Sequence, residues 1–244
     1  MRKEPVRIIE GTAKPHEPFW RFRNVEGEEP EMELYGYISE YSWYEDDVTP
    51  KMFKEDLASK GAGKPIKLHI HSGGGDVWAA SVMKAAIVDY PGKVTVQIDG
   101  LCASAATIVA MAGDVIRMQE SAYLMIHDPS TFFWGNIEDL KQALDELKVC
   151  KDGIIDAYET RTGLLKDKLS KMMTAETWLT AREAKELGFI DEVIAGAGQK
   201  VPAGFQNAIL NYVNVPAALL AVPNEPEVKN EAAERLRAEI KLIV

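Results

Sequence analysis

IKLHIHSGGGDVWAASVMKAAIVDYPGKVTVQIDGLCASAATIVAMAG, residues 66–113, carries the pattern that decides the fold. Ile66, Leu68 and Ile70 alternate with polar residues, which is the period of a half-buried strand. The glycine turn SGGGD (72–76) follows at once. VWAASVMKAAIVDY then reads as a helix that Pro91-Gly92 stops. KVTVQIDG (93–100) is the next strand, and LCASAATIVAMAG (101–113) a small-residue apolar helix suited to burial against a sheet. Strand, glycine turn, helix, strand and helix in this order predict an α/β fold with mainly parallel pairing.

The flanks extend the pattern. FWRFRNV (19–25) and EMELYGYIS (31–39) read as strands, and Thr49-Pro50 opens a short helix to about Leu57. VIRMQ (115–119) and AYLMIH (122–127) are short buried strands. A long amphipathic helix is expected over 137–160, with Ile137, Leu140, Leu144, Leu147, Ile154 and Tyr158 at helical spacing. Asn136 caps it, with Asp139 at the capping-box position. Thr180 and Glu183 form a second capping box, Gly188 ends that helix, and FIDEVI (189–194) is a last strand. Residues 1–18 read as an N-terminal arm and 19–195 as the folded domain. Residues 196–227, rich in Gly, Ala, Pro and Asn, read as a linker, and 228–244 as an amphipathic helix.

Composition narrows the function. With 28 Lys and Arg against 38 Asp and Glu, the formal net charge is −10, a poor basis for sequence-independent nucleic-acid binding. Only two cysteines occur, Cys102 and Cys150, without metal-ligand spacing, so no metal is expected. No apolar run is long enough for a membrane span, and the N-terminus lacks a secretory apolar core. A cytoplasmic setting is the expectation.

Ser104 is the first candidate for chemistry. It lies between a strand and a helix, where backbone amides favour developing negative charge and Ala103, Ala105 and Ala106 admit a substrate backbone. Taken alone, a serine among alanines is usually a packing residue. His127 emerges from an apolar strand into a loop and suits a general base, while His69 and His71 compete for that role on the IKLHIH strand. His16 lies in the arm. The glycines 73–75 match no phosphate-binding pattern, which leaves an oxyanion or peptide-binding turn, or a plain tight turn. Glu176, Glu183 and Asp191 are carboxylates that could orient a histidine; Glu183 is better explained by capping, and Asp191 lies in a strand. Lys84 and Lys141 have the spacing of solvated helix faces, and Cys102 that of a buried small hydrophobe.

KLHIHSGGGDVWAA, QIDGLCASAATIVAMAG, AYLMIHDPS and ETWLTAREAKELGFIDEVI together resemble the Clp protease proteolytic subunit family, in order and spacing, from about Leu34 to Ile194. IDGLCASAATIVAMAGD, YETRTG and MMTAETWLTA look most like its phage and prophage head maturation branch. The resemblance implies a ClpP/crotonase-like spiral of repeated strand-strand-helix units with a long protruding helix. It implies a serine endopeptidase without cofactor, with Ser104 as nucleophile and His127 as general base. Gly74, Gly75 and Ala105 would form the oxyanion and substrate-binding site. Glu176 stands where the family usually has an aspartate as third member. Implied partners are peptide and protein substrates, including scaffold and capsid proteins inside a prohead. A heptameric homo-oligomeric ring and an unfoldase are further implied partners; a membrane is not.

Three readings follow: a maturation or general Clp-type peptidase, a crotonase-like acyl-CoA enzyme, and a non-enzymatic ring-forming assembly module. Because Ser104, His127 and Glu176 precede the linker, deleting 197–244 is expected to leave peptidase activity intact.

Overall fold

The computed structural model describes residues 20–23, 30–39, 49–195 and 212–220. The chain divides into two compact units, residues 1–214 and 215–244. In the first, the strands are β1 (Trp20–Arg23), β2 (Glu31–Ile38), β3 (Ile66–Gly75), β4 (Val94–Ala103), β5 (Val115–Gln119), β6 (Tyr123–Ile126), β7 (Thr177–Thr180) and β8 (Glu192–Ile194). Its helices are α1 (Pro50–Gly61), α2 (Val77–Val88), α3 (Ala105–Ala110), α4 (Ile137–Thr162), α5 (Lys166–Thr174) and α6 (Ala181–Glu186). Of the second unit, the described part holds one helical turn, α7 (Ala217–Leu220), where the Leu219 N–H donates to Pro216 O at 2.9 Å. The expected arm over 1–18 and the expected helix over 228–244 lie outside the described residues, as do 196–211 and 221–227 of the expected linker.

The sheet order is β1-β2-β3-β4-β5-β8, with β6 and β7 branching from β4. From β2 to β8 the neighbours pair in parallel, while β1–β2 and β6–β7 are antiparallel. Parallel neighbours need crossovers, and α1, α2 and α3 supply them. The alternation seen in the sequence of β3 is the burial pattern: Ile66, Leu68 and Ile70 are buried, while Lys67, His69 and His71 are partly exposed. Ala79, Ala80, Ala86, Ala105, Ala106 and Ala110 are buried on α2 and α3, so these helices sit close to the sheet and to each other. A larger side chain there would overpack the core at a cost of about 1–3 kcal/mol.

The second strand of the deciding stretch runs further than its composition indicates. Leu101–Ala103 continues β4 instead of starting a helix, because these residues pair with Tyr123–Met125 of β6. Partners in the sheet override the helix preference of a small-residue segment. Thr95–Ile98 pairs with β5 and Leu101–Ala103 with β6, so β4 changes neighbours midway. Gly100 lies at this change; a Cβ there would stand 2.7 Å from His71 Nδ1. The glycines 73–75 likewise belong to β3, with Gly74 and Gly75 opposite Tyr37 and Ile38. Helix α5 and strand β7 have no counterpart in the sequence reading. KDKLSKMMT buries only Leu169 and Met173, too few for a clear period, and β7 is set by antiparallel pairing to β6.

Both capping boxes are present, at Asn136–Asp139 and Thr180–Glu183. Helix α4 buries Ile154, Ile155, Ala157 and Tyr158 in its second half. Its first half exposes Ile137 (72%), Leu140, Leu144 (49%) and Val149. The apolar stripe is therefore continuous in sequence and only half covered within the chain.

Candidate active site

Two strand ends make the site. The β4–β6 register sets Ala103 opposite Met125, so the residues following each strand emerge together. Ser104 follows β4 with φ 54° and ψ −128°, a left-handed turn that costs a non-glycine residue about 1–3 kcal/mol. The surroundings fix it. Its N–H donates to Met125 O at 2.9 Å, and its carbonyl accepts from the Thr107 N–H at 2.9 Å and the Thr107 hydroxyl at 2.6 Å. The Thr107 and Tyr158 hydroxyls, both buried, lie 2.6 Å apart, tying the turn to α4. His127 follows β6, and its Nε2 lies 2.7 Å from Ser104 Oγ. Burial of the imidazole lowers its pKa from the ordinary value, and this outweighs the nearby Glu176 and Asp128 charges that favour the imidazolium. A neutral ring with Nε2 unprotonated can accept the serine proton.

The glycine strand runs beside this pair. A Cβ on Gly74, at φ 95°, would meet Ala103 O and Ser104 Cβ at 2.7 Å and Ala105 N at 3.0 Å. Only a glycine permits that approach. The structure thus brings Gly74 and Ala105 together next to Ser104. The Gly74 N–H donates to Ser72 Oγ at 3.0 Å, and the Ala105 N–H, the first of α3, has no carbonyl one helical turn back to bond. Gly75 is turned towards β2, where a Cβ would lie 2.1 Å from Ile38 O.

Glu176 is near His127 but forms no hydrogen bond with the ring. It sits at φ 48° between α5 and β7. Its Oε1 accepts from Trp178 Nε1 at 3.1 Å and the Asn214 N–H at 2.6 Å, and its Oε2 from the Val213 N–H at 2.9 Å. Burial pushes the carboxyl up, yet these three donors and the His127 charge outweigh it and hold the pKa below the ordinary value. Asp128, the other carboxylate beside the ring, is paired with Lys151 Nζ at 2.7 Å and accepts from the Thr174 hydroxyl at 3.0 Å.

Tyr212, in the segment whose composition reads as linker, was not legible as a site residue. Its ring stands edge-on to His127 at 5.2 Å and to Trp178 at 5.8 Å. Its hydroxyl donates to Gly73 O at 2.5 Å and interacts with the Ser104 side chain. Burial pushes this phenol up to about 12, so it is a neutral donor at pH 7. A lone aromatic in NYVNVP, within a stretch of small residues, is the one sequence signal that marks it.

The competing candidates are engaged elsewhere. His69 Nδ1 lies 2.7 Å from Asp99 Oδ2, and His71 Nδ1 accepts from the Leu101 N–H at 3.2 Å. Cys102 is fully buried, and burial pushes its thiol up, away from the reactive thiolate. Glu183 caps α6, Asp191 pairs with Arg161 and accepts from the Ile116 N–H, and Lys141 pairs with Glu138. Lys84 lines a groove between α2 and α4. His16 lies outside the described residues. Among the described residues, no group of three or more His, Cys, Asp or Glu is placed to hold a metal ion, and no helix is long and apolar enough to cross a membrane.

A serine hydroxyl at an imidazole, with a glycine strand and a free amide beside it, can carry out acyl transfer. Known proteins resemble the chain in sequence and fold. The chain is 29% identical over 140 residues to the ATP-dependent Clp protease proteolytic subunit of Deinococcus radiodurans, spanning 57% of this chain and 69% of that one. It is 32% identical over 152 residues to the ATP-dependent Clp protease proteolytic subunit 1 of Chlamydia pneumoniae, covering 61% of this chain and 78% of that one. A solved structure of a ClpP1 variant from Listeria monocytogenes superimposes with a TM-score of 0.58 at 22% identity, over 68% of this chain and 91% of that one, and shares the fold. The pattern of the family described as Clp protease matches residues 42–197. With strands, helices and that match in agreement, the chain belongs to the Clp protease family and is a serine-type peptidase.

Proposed function

We propose that Ser104 is the nucleophile of an endopeptidase and His127 its general base. The observation that carries this is the 2.7 Å contact between Ser104 Oγ and His127 Nε2 at the ends of two paired strands. Ser104 Oγ bonds to the scissile carbonyl carbon as its proton passes to Nε2. The C–N bond then breaks, and the amine leaves with that proton. Water hydrolyses the acyl-serine by the same route in reverse. The Ala105 N–H and the Gly74 turn are the proposed oxyanion donors, Gly74 after exchanging its bond to Ser72. Glu176 is the proposed orienting carboxylate, since its charge already favours the imidazolium. The test is cleavage of a short unstructured peptide without ATP: activity is expected, and its persistence in Ser104→Ala would overturn the assignment.

Substrates are proteins or peptides. The resemblance of IDGLCASAATIVAMAGD, YETRTG and MMTAETWLTA favours scaffold and capsid proteins of a phage prohead in a bacterial cytoplasm. The bacterial Clp subunits among the relatives favour, equally, general proteolysis with an unfoldase. Processing of a co-expressed scaffold protein without ATP supports the first, and ATP-dependent loss of a folded substrate on adding an unfoldase supports the second.

Folding sets the pH dependence. Because burial lowers the pKa of His127, the imidazole remains neutral to below the ordinary value of 6.5. The acid limb of kcat/KM is expected below pH 6.5, with the rate lost as pH falls through it. A limb above 6.5 contradicts His127 as a base in this setting.

A homo-oligomeric ring, heptameric by resemblance, is proposed from surface. Trp78 and Val88 of α2 and Ile137, Leu144 and Val149 of α4 are exposed, and Trp78, Val88 and Val149 line a groove of about 530 Å³. Neighbouring exposed apolar side chains support this reading, since soluble monomers rarely expose large contiguous apolar patches. Light scattering at micromolar concentration is expected to give a multiple of the chain mass that Leu144→Glu lowers, and a monomeric wild type contradicts it.

A further inference from the structure

Tyr212 packs on His127 beside Ser104, and Val213 and Asn214 bond Glu176, all within the same compact unit. A scissile carbonyl must come within about 3–3.5 Å of the nucleophile to react. The Tyr212 hydroxyl occupies the glycine strand beside that nucleophile, donating to Gly73 O at 2.5 Å and interacting with the Ser104 side chain. Its ring covers the imidazole edge-on. The next two residues act on the carboxylate: the Val213 and Asn214 amides hold Glu176, and the Asn214 side chain donates to Ala175 O at 2.9 Å. Both Glu176 oxygens are thereby engaged away from His127, while Asp128 is neutralised by Lys151. One segment of three residues thus packs on the imidazole and the glycine strand beside Ser104 and holds the Glu176 carboxylate.

We propose that Tyr212–Asn214 is an autoinhibitory latch: a segment of this chain seated in its own substrate cleft, whose departure exposes Ser104 and frees Glu176 to meet His127. This rests on Ser104 being the nucleophile. Substrate peptide and latch then compete for one place, and apparent affinity falls by the fraction of chains that are open.

The test is the rate at which a fluorophosphonate labels Ser104 in the full chain, in Tyr212→Ala, in Tyr212→Phe and in a chain ending at 211, with Ser104→Ala as the blank. Tyr212→Ala and the shortened chain are expected to label about tenfold faster, the weight of one or two net hydrogen bonds. Tyr212→Phe, which keeps the ring, falls between. The peptide NYVNVP (211–216) added to the shortened chain slows labelling again and raises KM for a short substrate without changing kcat. Equal rates in the full chain and Tyr212→Ala overturn the latch and leave the nucleophile standing. Slower labelling in Tyr212→Ala, with its melting transition intact, shows that Tyr212 supports the site and also overturns the latch. Absence of labelling in every variant removes Ser104 as nucleophile, and the latch with it. If the shortened chain precipitates, Tyr212→Ala decides alone.

Discussion

Ser104→Ala is expected to lower kcat/KM for a short peptide by about 10⁶-fold, with His127→Ala close behind and the double variant little worse than either. The two groups act as one unit: the hydroxyl is a weak nucleophile until Nε2, 2.7 Å away, takes its proton. The backbone around Ser104 is held by Met125 O and by Thr107, whose hydroxyl meets that of Tyr158, and none of these contacts uses Oγ. Folding is therefore expected to survive, and circular dichroism and the unfolding transition check it. Glu176→Gln is a smaller change, because in the latched arrangement that carboxylate bonds the tail and not the ring.

Gly74→Ala is expected to cost about 10²–10³-fold, the weight of a displaced oxyanion donor. The added Cβ would stand 2.7 Å from Ala103 O and from Ser104 Cβ, at a φ of 95° that side chains rarely adopt. Both obstacles belong to the catalytic turn itself, so either the glycine strand or Ser104 must move. Gly153→Ala is the control: a Cβ there meets nothing within 4 Å, and in helix α4 it is expected to add about 0.5–1 kcal/mol of stability. Kinetics and thermal unfolding of the two variants separate a site effect from a general glycine effect.

The strands and helices that position Ser104 and His127 are written locally. Period-two alternation marks β3, capping boxes mark α4 and α6, and a histidine leaving an apolar strand marks His127. The contact between them was not legible, because it depends on β4 changing partners at Gly100, a property of register and not of composition. The segment LCA looks helical by itself and becomes strand only when β6 pairs with it. Tyr212 was still less accessible: 139 residues separate it from Gly73, and its neighbours have the composition of a linker. Three residues of the segment read as dispensable, Tyr212–Asn214, bond Gly73 and Glu176 beside the site. Removing 197–244 distinguishes the two readings: the latch raises the reactivity of Ser104, and a dispensable tail leaves it unchanged.

The most direct measurement is exhaustive reaction of the native chain with a fluorophosphonate, followed by peptide mass spectrometry. One adduct on Ser104, lost in His127→Ala and after denaturation, is the expected result. An adduct on another residue, or peptidase activity that persists in Ser104→Ala, would contradict the Ser104–His127 pair as the centre of this peptidase.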